Sequence, residues 1–266
     1  MRRFAWLTDI HLNFLPPEQV AEFFRQVDGA AADGVLLTGD VSDARGVTAR
    51  LEEMAAAVTA PIYFVLGNHD FYHGSIREVR RSVGQLCSRL ANLHYLTGAE
   101  PIELAPGLGL IGHDGWADAR VGDYDNSNVM LNDYRLIAEL AAMTKRQRRG
   151  VLEALGDEAA AEIARVLPAA LGRFERVILL THLPPLREAC WHEGKISDDE
   201  WSPHFTCKAI GDVLLATMPE YPDRQLSVYC GHTHSSGEVR PLPNLTVFTG
   251  EATYGQPKIQ HTIEIG

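Results

Sequence analysis

Five apolar runs in this chain end abruptly in acidic, amide or imidazole side chains, and no other feature narrows its fold so far. The clearest is Pro61-Ile62-Tyr63-Phe64-Val65-Leu66, followed at once by Gly67-Asn68-His69-Asp70. A β-branched and aromatic run of this length reads as a buried strand, and the glycine after it lets the backbone turn sharply. Three consecutive polar side chains are an unfavourable end for a core strand unless each finds a partner. Taken alone, the tetrapeptide also fits a turn with a capping aspartate. Four other runs end in the same way, however. Phe4-Ala5-Trp6-Leu7-Thr8 precedes Asp9-Ile10-His11, and Val35-Leu36-Leu37-Thr38 precedes Gly39-Asp40-Val41-Ser42-Asp43. Val177-Ile178-Leu179-Leu180 precedes Thr181-His182, and Leu226-Ser227-Val228-Tyr229-Cys230 precedes Gly231-His232-Thr233-His234.

The first three runs alternate with helical patterns over residues 17–32, 48–58 and 75–90. Strands separated by helices imply a parallel sheet, whose strands share one carboxyl edge, and that edge is where open α/β sheets bind ligands. The polar ends are therefore expected to converge. Residues 92–112 read as short strands linked by turns, a meander that marks a change of layer. Residues 113–134 form a Gly/Asp/Asn-rich stretch long enough to be a functional rim. Residues 136–143 and 144–171 read as helical, with breaks near Gly150 and Gly156. A second polar loop, 187–204, precedes a helix expected over 205–217, and strands near 238–240, 245–248 and 262–265 complete a sheet. With no internal repeat or linker, one domain spanning 1–266 is the simplest organisation.

The 266 residues are 45% hydrophobic, ample for a substantial core, and carry a net charge of −11. That charge repels nucleic acid and anionic membrane, so neither is an expected partner. The basic run Lys145-Arg146-Gln147-Arg148-Arg149 reads as one solvated helix face. No apolar run reaches the ~18 residues of a membrane span. The N-terminal apolar stretch is short and interrupted by Asp9 and His11, so it reads as a strand rather than a signal peptide. The four cysteines, Cys87, Cys190, Cys207 and Cys230, are scattered and form no C-x-x-C pair. They read as reduced thiols, which places the expected location in the cytoplasm.

Neutral imidazoles mixed with carboxylates suit divalent transition metals such as manganese, iron or zinc, whereas an all-oxygen set would suit magnesium or calcium. The strand ends offer more ligands than one ion takes. A shared carboxylate can bridge two ions about 3.5–4 Å apart, an arrangement that clamps a phosphoryl centre.

The ordered set Asp-x-His, Gly-Asp-x-x-Asp, Gly-Asn-His-Asp, a later histidine and Gly-His-x-His resembles the calcineurin-like metallophosphoesterase superfamily, over the span from Asp9 to His234. The resemblance implies a four-layer α/β/β/α sandwich of two mixed sheets flanked by helices. It implies that Asp9, His11, Asp40 and His234 hold one metal and that Asp40, Asn68, His182 and His232 hold a second. It further implies that a metal-bridging hydroxide attacks phosphorus while His69, oriented by Asp43, acts as a non-ligand proton donor. Asp70 is expected to support the ligands. The implied activity is hydrolysis of a small-molecule phosphomonoester or phosphodiester, in the cyclic-nucleotide phosphodiesterase-like or small-molecule branch. The alternatives are a protein serine/threonine phosphatase and a non-catalytic metal-binding scaffold. In the protein phosphatase branch an arginine directly follows the aspartate; here Ala44 separates Asp43 from Arg45, which reads as a phosphate contact or a solvated side chain. His113 and Asp114 follow a strand and read as pocket or plain loop. Cys190, His192, His204 and Cys207 offer the atoms for a zinc site at a non-standard spacing. Nothing in the sequence sets the oligomeric state.

Overall fold

In the computed structural model, which describes residues 1–265, the chain opens with β1 (Arg2–Leu7), α1 (Pro17–Gly29), β2 (Gly34–Thr38), α2 (Val47–Ala57), β3 (Ile62–Val65), α3 (Ile76–Cys87) and β4 (Leu93–Tyr95). Then come the hairpin β5 (Ile102–Ala105) and β6 (Leu108–Gly112), α4 (Asp133–Leu136), the long α5 (Lys145–Arg173) and β7 (Arg176–Leu180). The remainder is β8 (Trp191–His192), β9 (Lys195–Ile196), α6 (Ser202–Phe205), α7 (Lys208–Thr217), β10 (Gln225–Cys230), β11 (Gly237–Leu242), β12 (Leu245–Thr249) and β13 (His261–Ile265). Helices form where the apolar period demands one. Val20, Phe23, Phe24 and Val27 make one buried stripe on α1, and α3 starts where Ser75 Oγ accepts the Glu78 N–H.

The strands make a five-stranded sheet, ordered β13-β1-β2-β3-β4, and a six-stranded sheet, ordered β11-β12-β10-β7-β6-β5. In each, the inner strands are parallel and the antiparallel pairings lie at the edges. Side chains alternate across them. Phe4, Trp6, Leu36, Ile178 and Leu180 pack between the sheets, while Leu7, Val35 and Leu37 face α1 to α3. Val177 and Leu179 face α5 and α7. Three apolar seams thus join four layers, α/β/β/α, each fully buried Leu or Phe contributing about 1.5–3 kcal/mol. Because β1, β2 and β3 of one sheet and β7 and β10 of the other all end on the same side, five polar strand ends meet over the seam.

Several expected elements differ. Helix α5 runs unbroken for 29 residues, started by a capping box between Thr144 and Gln147. Neither glycine breaks it. Gly150 lies on the exposed face, and Gly156 lets the helix approach Asp118, whose Cβ would sit 2.5 Å from an added Cβ. Residues 138–142 are turns rather than helix, because Ile137 is drawn into a bridge with Gly74 while His73 N–H donates to Leu136 O. The loop at 187–204 contains the β8–β9 hairpin, and the following helix starts at Lys208, where Asp118 accepts the Ala209 N–H at 2.7 Å. β4 pairs in parallel with β3, so the change of layer falls after it. Among the described residues no helix is long and apolar enough to cross a membrane.

Candidate metal centre

The strand ends are held in unusual backbone geometry. Asp9, His11, Asp40, His232 and His234 have φ of 49°, 41°, 55°, 70° and 58°, five of the ten described non-glycine residues in that left-handed region. Such conformations persist only where neighbours over-determine them. Here His69 N–H donates to Asp40 Oδ1 at 2.9 Å, and His232 N–H donates to the Asp9 carboxylate at 3.1 Å. Two glycines make room for these carboxylates: a Cβ at Gly67 would lie 2.1 Å from Asp40 Oδ1, and one at Gly231 2.0 Å from Asp9 Oδ2.

Two sets of acceptors result. Asp9, His11, Asp40 and His234 each turn one ligand atom inward, all within 4.8 Å of one another, with His11 Nε2 and His234 Nε2 3.2 Å apart. In the second set each member is fixed by a bond on its outer side. His182 Nδ1–H donates to Thr38 O at 2.8 Å, leaving Nε2 3.0 Å from Asn68 Oδ1 and 3.4 Å from Asp40 Oδ1. His232 Nε2–H donates to His204 O at 3.3 Å, leaving Nδ1 2.9 Å from Asn68 Oδ1. The Asn68 amide N–H₂ is spent on Asp133 and Tyr72, so its oxygen must face inward. Carbonyl oxygen, carboxylate and imidazole nitrogens converge, all of them groups that can present lone pairs to a shared cation, so the residues present fit a divalent ion.

The electrostatics agree. Burial drives His11 down to about 4 and His232 to about 3, so both rings are neutral at pH 7 and keep a lone pair. Burial opposes ionisation of Asp9, yet the hydrogen bond from His234 and the charge of His182 hold it at about 2. Asp40 is likewise held well below the carboxylate range, against its burial, by His182 and His69. Burial opposes protonation of His182, yet the Asp40 charge raises it to about 10.

Around these sets lies a cleft of 320 Å³ walled by Asn68, His69, Tyr72, Leu131, Asp133, His192, Phe205 and Tyr254. The His69 ring lies 4.2 Å from that of Tyr72 and 4.6 Å from that of His11. Asp43 Oδ1 accepts the N–H groups of Arg45 and Gly46 at the start of α2, and among the described residues no hydrogen bond or ion pair joins Asp43 to His69. Asp70 is fully buried and accepts N–H bonds from Val41, Ser42 and Gly67, tying two strand-end loops together. Burial, then the nearby charge of Asp40, pushes it up to about 8.

Asp133 was not singled out by sequence. It is buried, and its Oδ1 accepts from Asn68 Nδ2 at 2.9 Å and Tyr72 OH at 2.7 Å. Its only sequence signal is an acidic residue in the Gly/Asp/Asn-rich stretch.

Two expected groups are not in the cleft, and a third, of which His192 lines the cleft, does not come together. His113 and Asp114 are buried behind it: His113 Nδ1 accepts the Gly115 N–H, and Asp114 is bonded by Leu66 N, Arg80, Tyr95 and Thr97. Arg45 is exposed and lines a separate cavity with His73, Ser75 and Glu78. The cysteine and histidine quartet does not assemble. His204 is bonded to Ser127 and Tyr134, Cys190 to Ser197, and the His192 ring packs against Trp201 and Phe205.

An α/β/β/α sandwich with buried aspartates and histidines gathered at its shared strand edge defines the metallophosphoesterase class. The sequence model described as calcineurin-like phosphoesterase matches residues 2–236, and the chain belongs to that family. Its fold is similar to that of a phosphopantetheinyl hydrolase from Mycobacterium tuberculosis, with a TM-score of 0.67 at 16% identity, covering 95% of this chain and 90% of that one. A dimetal phosphatase from Danio rerio aligns with a TM-score of 0.56 at 16% identity, over 96% of this chain and 89% of that one. A protein of Thermus thermophilus, TT1561, gives a TM-score of 0.55 at 14% identity, over 94% of this chain and 89% of that one. No curated protein matches the sequence.

Proposed function

We propose that this protein is a phosphohydrolase that uses two divalent transition-metal ions to cleave a small-molecule phosphate ester. The observation that carries the reading is Asp40. One of its oxygens lies 3.7 Å from His11 Nε2 and the other 3.4 Å from His182 Nε2, so a single buried carboxylate serves both sets of acceptors. Asp9, His11, Asp40 and His234 hold one ion; Asp40, Asn68, His182 and His232 hold the other. Imidazole with carboxylate suits manganese, iron or zinc. Ions bound there supply positive charge beside the phosphoryl group and acidify water enough for attack near neutral pH.

The chain's own residues do the rest. His69 lines the cleft and belongs to neither set, which leaves its ring free to give a proton to the departing oxygen. Tyr72 and His11 hold the ring in the orientation that Asp43 was expected to fix. Asp133 keeps the Asn68 carbonyl oxygen turned inward. The names of two structural neighbours, a phosphopantetheinyl hydrolase and a dimetal phosphatase, describe reactions of this class and support it. The exposed Arg45, in another cavity, argues against the protein serine/threonine phosphatase alternative.

Manganese-loaded protein is expected to hydrolyse p-nitrophenyl phosphate or its bis-ester. His69→Ala is expected to lower kcat about 10²–10⁴-fold with metal content, by mass spectrometry, at the wild-type level. Unchanged kcat would remove His69 from this role. Wild-type protein that holds two ions yet turns over neither ester, nor any of a nucleotide panel, would instead be a scaffold.

A further inference from the structure

The polar loops at 113–134 and 187–204 are stitched to each other. Ala119 N–H donates to Pro203 O at 3.2 Å, Asp123 N–H to Asp199 O at 2.7 Å, and Ser127 Oγ–H to Glu200 O at 2.8 Å. Each loop ends beside a member of the second acceptor set. Asp133, the first residue of α4, accepts the Asn68 amide N–H at 2.9 Å. Its neighbour Tyr134 is bonded to His204 Nδ1 at 2.5 Å, and the His204 carbonyl oxygen lies 3.3 Å from His232 Nε2. Adjacent residues of one short helix thus reach both Asn68 and His232.

His204 is the joint. Its ring is buried and neutral, and its bonds decide which nitrogen carries the proton. Ser127 spends its hydroxyl proton on Glu200 O, so it accepts from His204 Nε2 at 2.9 Å. Nδ1 is left to accept the Tyr134 O–H. With both nitrogens engaged, the ring is fixed, and with it the backbone oxygen that His232 meets. A carbonyl oxygen only accepts, so His232 Nε2 carries the proton and the lone pair of that ring lies on Nδ1, toward Asn68. The first set is held differently. Asp9 N–H donates to Gly39 O at 3.1 Å and His11 N–H to Asp40 O at 2.9 Å, so strand-end backbone holds these residues. Among the described residues no hydrogen bond or ion pair joins Asp9, His11 or His234 to either loop.

Resting on the two-ion reading above, we propose that the two loops are the positioning device of the second metal site alone. Asp133, Tyr134 and His204 hold Asn68 and His232 in ligating orientation, so filling of that site and ordering of the joined loops are coupled. Asp9, His11 and His234 bind their ion independently of the loops.

Equilibrium dialysis of full-length protein with manganese should give two dissociation constants, and Asn68→Ala, which removes a ligand of the second set, identifies the one that belongs to it. Tyr134→Phe keeps the ring and deletes the hydroxyl; it should raise that constant about tenfold or more and leave the other within about twofold. His204→Ala should act in the same direction. Leu51→Ala truncates the core under α2 and destabilises the whole fold, yet it should move neither constant. Linkage requires the converse in wild type. Hydrogen exchange of amides over 119–128 and 199–206, read by mass spectrometry, should slow by about 5–150-fold as the Asn68 site fills, and not as the other does. Equal weakening of both sites by Tyr134→Phe, no change in either, or protection that tracks the site of Asp9, His11 and His234 would overturn the proposal. Should Tyr134→Phe fold poorly, the exchange measurement on wild type decides. Absence of ester turnover would sink the phosphohydrolase reading without altering these constants, which still decide the proposal, whereas a single bound ion would overturn both.

Discussion

β6 and β10 lie in one sheet with only β7 between them, and each ends in a histidine within two residues of the strand. At the end of β6, Asp114 meets donors. Leu66 N at 2.8 Å, Arg80 Nε at 2.9 Å, Tyr95 OH at 2.6 Å and Thr97 Oγ1 at 2.9 Å all give it protons. At the end of β10, His232 Nδ1 faces the Asn68 oxygen at 2.9 Å and His234 Nε2 lies 3.3 Å from the Asp9 carboxylate, both from left-handed backbone. The first arrangement is complete without any further component, and it clamps β3, α3 and the chain after β4 together. The second crowds carboxylate, amide oxygen and imidazole nitrogens together, a set that a bound cation would satisfy. Burial does not distinguish the two, since Asp114 and Asp9 are both almost wholly covered. The polarity of the partners does.

The largest effect expected from perturbing the clamp is Arg80→Ala. It strips the charge partner from fully buried Asp114 and also removes the Arg80–Glu158 pair at 2.5 Å. Leaving one buried charge uncompensated costs about 3–5 kcal/mol, seen as a lower denaturant midpoint. Turnover per folded molecule should persist. A variant of normal stability that lost activity would show the clamp and the cleft to be one unit and break the contrast.

Asp133 probes the other side. It is partnered like Asp114, yet its donor is an amide whose oxygen faces the cleft. Asp133→Ala frees the Asn68 side chain to rotate, so one of two manganese sites should weaken by about 10–100-fold in equilibrium dialysis. The site of Asp9, His11 and His234 should be unaffected. Equal weakening of both would mean that Asp133 acts through the general charge of the cleft rather than through Asn68.

Acid sharpens the comparison at a smaller scale. Burial raises the Asp114 carboxyl, but Arg80 and His113 more than offset it, so its pKa falls below the ordinary 3.8. A group depressed on folding contributes stability that is fully present above its unfolded pKa and is lost as pH falls through the folded value. The difference in unfolding free energy between wild type and Asp114→Asn should therefore be flat above about pH 5 and shrink below the ordinary carboxylate pKa. A difference that grew on acidification would reverse the sign assigned to the clamp.

The five strand ends were legible because both of their signals are local: an alternating apolar run and the polar residues directly after it. The same signal left His113 and Asp114 between pocket and plain loop, since sequence does not tell whether a buried carboxylate will face an arginine or an imidazole. Arg80, which decides it, lies 34 positions away. Asp133 stayed invisible for the same reason, its Asn68 partner being 65 positions distant. Asp43 shows a local competitor: two backbone N–H groups within three residues bond one oxygen of a side chain that the family pattern pairs with His69.

Helix α5 braces the clamp from outside through Glu158, and two of its three glycines yield the smallest predicted effects. At Gly150 an added Cβ meets nothing within 4 Å, so Gly150→Ala should stabilise by about 0.5–1 kcal/mol through helix propensity and a less flexible unfolded chain. At Gly156 the same methyl would press on Asp118, the residue that caps the first turn of α7, and Gly156→Ala should destabilise. Thermal melts of the two variants should move in opposite directions. Both should leave kcat unchanged, because α5 touches the donor-satisfied side of the molecule and contributes nothing to the cleft wall. A change in kcat from either methyl would show that stiffness in the brace reaches the metal ligands.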